Sequence, residues 1–163
     1  MLHQIRPMLP ADLDAVLRVQ AACYPPAMQE IGEVVGARLL AASATCVVGC
    51  DEDGVCGYLF AYPSRLGCIT ALDAPFKVIS DADTLYLHDL SVDPRALGQG
   101  LARALVEHML ERGRAAGLAH SALVSVQDSV RFWEALGYRA QAGFEPALAS
   151  YPAGALYMVR TPL

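Results

Sequence analysis

Leu85-Tyr-Leu-His-Asp-Leu-Ser-Val-Asp-Pro-Arg-Ala-Leu-Gly-Gln-Gly-Leu-Ala-Arg-Ala-Leu-Val-Glu-His-Met-Leu110 reads as a strand, a tight turn and a helix. Tyr86 to Val92 is rich in β-favouring and apolar residues, and Asp93-Pro94 stops it. From Gly98 the period changes. Leu101, Leu105 and Met109 recur every fourth residue, with Ala102, Val106 and Leu110 beside them. Arg103, Glu107, Glu111 and Arg114 are left for a polar face. Gly98 and Gly100 lie where the turn becomes the helix, and without a Cβ a ligand can approach their backbone closely. A helix N-terminus leaves amides unpaired and carries a partial positive charge, so a phosphate is its natural guest.

The kind of phosphate ligand is narrowed by what is missing. A dinucleotide fingerprint needs a third glycine where Arg103 stands, and a P-loop needs Gly-Lys-Ser/Thr, which the chain lacks. The stretch resembles motif A of the GNAT superfamily of acyl-CoA-dependent N-acyltransferases. There, a strand ending in Val-x-Pro precedes Arg/Gln-x-x-Gly-x-Gly/Ala, which holds the pyrophosphate of coenzyme A. The six matching positions are Leu97, Gly98, Gln99, Gly100, Leu101 and Ala102. Leu97 departs from the pattern, but the contacts the resemblance implies are mostly to main-chain amides. It implies acetyl-CoA as co-substrate, with Leu90, Ser91 and Val92 meeting the pantetheine and thioester carbonyl. It also implies a splay between strands 84–92 and 120–126 that admits the pantetheine arm.

At 163 residues the chain is read as one domain, 1–163, long enough for a core. With 55% hydrophobic and 18% charged residues it is globular rather than disordered. No run approaches the ~18–20 apolar residues of a membrane span, and the first residues lack a signal-peptide core, so a cytoplasmic protein is expected. The net charge of −5 comes with no basic cluster, which argues against nucleic acid. Five cysteines (Cys23, Cys46, Cys50, Cys56, Cys68) form no Cys-x-x-Cys pair and have no His beside them. They are read as buried, reduced thiols, and no metal is expected.

Working outward, residues 2–6 are expected as an edge strand, and Pro10 opens a helix that runs to about Cys23. Tyr24-Pro25-Pro26 ends it. A second helix is expected over 29–42. Strands 45–50 and 55–62 flank the turn Asp51-Glu-Asp-Gly54. Residues 63–83 are the least readable, a surface excursion with a short strand around 68–72. Gly117 closes the long helix, and 121–126 is the next strand. Asp128 is expected to cap a short helix ending at Gly137, and strands 138–142 and 155–160 close the fold. The order is that of the superfamily, so the fold class is α/β: a GNAT-like mixed sheet flanked by helices.

Acyl transfer to an amine needs a neutral amine, a donor for the oxyanion and a departing thiol. His88 and Asp89 on the central strand are the candidate bases, His88 standing where several superfamily members carry the first of two acids. Adjacent strand residues face opposite ways, so one of the two at most is expected to face the substrate; a structural histidine and a backbone-satisfying carboxylate are the alternatives. Many members place an acidic Tyr four residues before the closing glycine of the last helix. Here that position is Trp133, whose indole cannot protonate a thiolate, which leaves Ser129 or Tyr151 as substitutes, or no acid at all. Tyr138 is read as core, and His3, His108 and His120 as surface residues. The resemblance adds Asp128, Ser129 and Phe132 to the coenzyme A contacts. It assigns Tyr24, Met28, Gln29, Glu30 and Tyr62 to an acceptor pocket for a small-molecule or peptide amine. A homodimer is left open. A coenzyme A-binding module without catalysis is the competing reading, favoured by Leu97 and Trp133.

Overall fold

The computed structural model describes residues 2–163. Seven strands form one sheet: β1 (Gln4–Pro7), β2 (Cys46–Asp51), β3 (Gly54–Ser64), β4 (Thr84–Val92), β5 (His120–Ser125), β6 (Arg139–Ala140) and β7 (Leu156–Arg160). Their spatial order is β1-β2-β3-β4-β5-β7-β6. All pairings are antiparallel except β4 with β5. Helices α1 (Leu13–Cys23) and α2 (Gly32–Ala41) cover one face. Helix α3 (Leu101–Ala115) and the short α4 (Val130–Ala135) cover the other. The mixed sheet with two covered faces is the architecture expected from the sequence.

Helix α3 buries Leu101, Leu105, Val106, Met109 and Leu110 against Leu59, Leu85 and Leu87. Its outward face carries the ion pairs Arg103–Glu107 and Arg114–Glu111. Leu101 is the anchor. A Cβ on Gly49 would sit 2.7 Å, and one on Gly57 2.9 Å, from its side chain, so glycines in β2 and β3 open the slot it fills. That plug fixes where the first turn of α3 meets the sheet.

Two irregularities of β4 shape everything downstream. Strand β5 pairs with it only from Thr84↔His120 to Leu87↔Leu123; beyond that point the strands diverge, as the resemblance implied. On the other edge, Asp89 pairs with Phe60 and Leu87 with Ala61, so His88 has no partner and forms a bulge.

Several expectations are corrected. No strand forms around 68–72: the main-chain groups of Thr70 and Leu72 bond the Tyr86, Tyr151 and Ser150 side chains instead of a strand. Nor is 63–83 merely a surface excursion, for Thr70 and Phe76 are buried. Ser129, not Asp128, stands at the N-cap of α4, and Asp128 has φ of +56°. The first two helical segments begin with separate 3-10 turns at Pro10–Asp12 and Pro26–Met28. Cys46 and Cys56 are buried thiols, whereas Cys68 is exposed. His3 and His108 are partly buried, each with an Nε2 that has no hydrogen-bond partner.

Candidate active site

Where β4 and β5 part, a cavity of about 250 Å³ passes between them. Toward α3 and α4 its wall is Leu97, Ala102, Leu123, Ser129, Phe132 and Trp133. Toward α1 and α2 it is Tyr24, Met28, Glu30, Leu72, His88 and Tyr151. Leu90 and Val92 of the unpaired strand end lie between.

The turn before α3 has the form its glycines require. Gly98 and Gly100 take φ of +75° and +80°, and a Cβ on either would meet nothing within 4 Å. The space beside them is open. The first helical bond runs from Ala104 N to Gly100 O, so the amides of Leu101, Ala102 and Arg103 have no partner inside the helix. Leu97 is 63% exposed, on the outer lip of the turn. Gln99 Nε2 reaches back 3.5 Å to the Arg95 carbonyl. Ser91 is buried and its hydroxyl lies 3.4 Å from Asp89, so from its side chain it offers the cavity little.

The bulge overturns the expectation that His88 and Asp89 face opposite ways, for both turn toward α1 and α2. The His88 side chain is only 1% exposed, yet the residue as a whole is partly exposed, so the open atoms are main chain of the unpaired strand. Its Nε2 lies 3.1 Å from Glu30 Oε1. Glu30 also receives Arg38 Nη1 at 2.6 Å and the Asp73 amide at 2.8 Å. Burial alone would raise the Glu30 pKa, but the hydrogen bonds and charges of His88 and Arg38 outweigh it and hold the carboxyl at about 2. An ionised Glu30 can only accept, so Nε2 of His88 carries a proton and faces it. Nδ1 is left buried and without a partner.

Asp89 is differently occupied. Tyr58 donates to its Oδ2 at 2.8 Å, and the Tyr24 hydroxyl lies 3.0 Å from its Oδ1 and 3.3 Å from the Leu90 carbonyl. Burial raises its pKa, against the pull of the nearby His88 and of the Tyr58 and Tyr24 hydroxyls. Its oxygens are spent on placing tyrosines. Cys23 Sγ donates to the Val92 carbonyl at 3.2 Å, so α1 satisfies two carbonyls of the strand end that β5 has abandoned.

The remaining candidates separate. Tyr62 is buried away from the cavity, stacked on Phe76 and 2.5 Å from Thr70 Oγ1; its length carries it past the pocket into the core. Gln29 turns back to the Tyr24 carbonyl. Tyr151 reaches the cavity, but its hydroxyl donates to the Thr70 carbonyl at 2.6 Å and burial raises its pKa. Ser129 donates to the Val126 carbonyl at 2.7 Å. Asp128 borders a second cavity of about 210 Å³ that shares Met28, Val126 and Gln127 with the first. Tyr138 is core, its hydroxyl 2.7 Å from Ser121 Oγ. Trp133 is 7% exposed and packs edge-on against Phe132 and Tyr138. We therefore expect Trp133→Phe to keep most of the activity and to cost under ~2 kcal/mol of stability, measured by urea unfolding beside a rate assay. A folded variant with its activity gone would give the indole a chemical role.

Arg38, and the part that Glu30 plays with it, are what sequence reasoning missed. Arg38 lies between Val35 and Leu39 on the buried face of α2. A charge on an apolar stripe demands a buried partner, and that was the available signal.

A strand end unpaired for one partner, a glycine turn opening a helix and a cavity threading the sheet define the class of acyl-CoA transferases. The comparisons agree. The profile of the Acetyltransferase (GNAT) family matches residues 13–138, and the chain belongs to that family. A comparison with curated proteins finds no match. Among solved structures, the loading GNATL domain of CurA from Lyngbya majuscula superposes with a TM-score of 0.83 at 14% identity, covering 99% of this chain and 98% of that one. The GphF GNAT-like decarboxylase, solved in complex with isobutyryl-CoA, gives 0.78 at 19% identity, covering 97% and 98%. The ribosomal-protein-S18-alanine N-acetyltransferase from Escherichia coli gives 0.71 at 17% identity, covering 99% and 94%. At these identities the likeness is one of fold. Among the described residues no helix is long and apolar enough to cross a membrane.

Proposed function

We propose that this chain is a single catalytic domain, residues 1–163, that moves an acetyl group from acetyl-CoA to an amine by direct attack in a ternary complex. One observation carries the reading: a single cavity is lined by Leu97 and Ala102, which flank the glycine turn, at one end and by His88, whose buried Nδ1 has no partner, at the other. Main-chain amides from Leu97 to Ala102 hold the pyrophosphate at the start of α3. Leu90, Ser91 and Val92 meet the pantetheine and the thioester carbonyl, the carbonyls of Leu90 and Val92 being held by α1, with Ser129 and Phe132 on the opposite wall and Asp128 at the edge of the neighbouring cavity. Tyr24 and Met28 bound the acceptor.

In the reaction the amine nitrogen forms a bond to the thioester carbon, and its surplus proton passes to His88 Nδ1, directly or through a water. The carbon–sulfur bond then breaks. A thiol of pKa ~8.5 leaves tolerably as thiolate, so neither Trp133 nor Tyr151 has to supply a proton, and the imidazolium returns one. Glu30 orients the ring, and Asp89 positions Tyr24. The binding-module alternative gains nothing from the site, because an inert protein has no need of a buried imidazole held by an ion pair.

The test is incubation with acetyl-CoA and a panel of amines, reading free thiol and acetylated product by mass. Turnover is expected; tight acetyl-CoA binding with no transfer to any amine would leave the binding module.

The pyrophosphate assignment makes its own prediction. Gly100→Val should weaken acetyl-CoA binding by ~2 kcal/mol or more, by crowding the ligand and straining a left-handed position. Gly117, at the far end of α3, has φ of +77° with nothing near its Cβ position, so Gly117→Val imposes the same strain away from the ligand. It should lose stability and keep its affinity in calorimetric titration. Equal affinities for the two variants would remove the phosphate from this turn.

A further inference from the structure

At the acceptor end of the cavity, nearly every polar side-chain atom is already committed. Glu30 accepts from His88, Arg38 and the Asp73 amide. Asp89 is met by Tyr58, Tyr24 and Ser91. Tyr151 is spent on the Thr70 carbonyl. Arg38, the nearest cation, is 2% exposed, paired with Glu30, and gives Nε and Nη2 to the Ala74 carbonyl at 3.0 and 2.6 Å. No lysine or arginine lines either this cavity or the smaller one beside it. Among the buried side-chain atoms lining this end one remains unpartnered, His88 Nδ1, on a side chain 1% exposed; around it the walls are apolar, from Met28, Leu72, Leu87 and Val126, with the Gln127 amide at the exposed rim.

Resting on the acetyl-transfer reading above, we infer that the acceptor is a compact amine with an apolar body, bearing no carboxylate, phosphate or second ammonium. A carboxylate or phosphate would enter without a cation to meet it, and a second ammonium without a free anion; a buried charge left unpaired is strongly opposed. The single amine has one place to send its proton. Asp128 is the one charged residue of the neighbouring cavity, set at its exposed wall, where it can draw a lone ammonium inward without following it.

The segment between β3 and β4 supports the same class by closing the end against long chains. Leu72 lines the cavity while its amide bonds Ser150 Oγ at 3.0 Å. Asp73, at φ +59°, turns its amide onto Glu30 and accepts from the Ile31 amide at 3.3 Å. With Tyr151 tied to Thr70, two loops meet over the acceptor end.

The experiment uses the full chain saturated with coenzyme A for binding and with acetyl-CoA for transfer. 2-Phenylethylamine and isoamylamine are compared with spermidine, L-methionine and an unblocked tripeptide. Calorimetry reads binding, and thiol release reads kcat/KM. The two monoamines are expected to lead by ~10-fold or more, the discrimination a pocket contact usually gives. Preference for spermidine, methionine or the tripeptide would overturn this inference and leave acetyl transfer standing. If the monoamines bind best but none of the panel is acetylated, acetyl transfer fails and the pocket assignment survives. No binding by either monoamine overturns the assignment. A second arm adds the missing anion: Leu72→Glu, checked for folding by circular dichroism, should move the kcat/KM ratio of spermidine to 2-phenylethylamine upward by ~10-fold. An unchanged ratio in the folded variant would place the acceptor elsewhere.

Discussion

His88→Ala is expected to lower kcat/KM by ~10²–10³, the usual share of one positioned acid–base group, while acetyl-CoA affinity stays as it was. The effect falls on transfer alone because the side chain faces the acceptor end, whereas the turn before α3 lies across the sheet. The pH profile separates chemistry from packing. The native protein should show a pH dependence set by the base that receives the amine's proton, and the variant should lose it. A variant with the native rate and profile would return His88 to a packing role against Phe76 and Tyr86, its ring neighbours, and Asp89 or a water would be the next base to test.

Glu30→Gln should be the costliest change to stability, at ~3–5 kcal/mol, because it leaves Arg38 buried and charged without its counter-ion. Adding Arg38→Met should recover most of that loss, since replacing both members of a buried pair is often near neutral. Activity should not recover with it, for a neutral amide holds the imidazole less firmly than a carboxylate. Urea unfolding and the rate assay on the single and double variants together check this. The same pair sets an acid dependence. A carboxyl near 4.5 when unfolded and held at about 2 when folded adds stability that is complete above pH ~4.5 and disappears as pH falls toward ~2. The native protein and the Glu30→Gln variant should therefore draw together in acid. A single variant as stable as the native chain would show that the ion pair contributes no net stability.

What could be read from the sequence is what neighbouring residues encode among themselves. The β4–turn–α3 unit was legible because strand, proline, glycines and a four-residue period stand in a row, and the β2–β3 hairpin because Asp51 to Gly54 breaks two apolar runs. The acceptor side was not. The segment between β3 and β4 owes its order to Arg38, Glu30, Ser150 and Tyr151, from 36 to 81 positions away, and its apolar Cys68-Ile-Thr-Ala-Leu72 run resembles a strand but bonds side chains instead. His88 and Asp89 could be singled out, but the bulge that turns both to one side leaves no mark on residue type. Glu30 could be placed in the pocket but not in its role, since its partners Arg38 and His88 meet it only in three dimensions.

The four rungs from Thr84↔His120 to Leu87↔Leu123 are all that joins β1 through β4 to β5, β7 and β6 within the sheet. Mechanically the sheet is two plates on a short hinge, with the Leu87–Leu123 rung as its pin nearest the gap. The width of the gap beyond the pin is therefore a matter of how the two plates are braced where they part, and the brace is the pair Leu87 and Leu123, both buried.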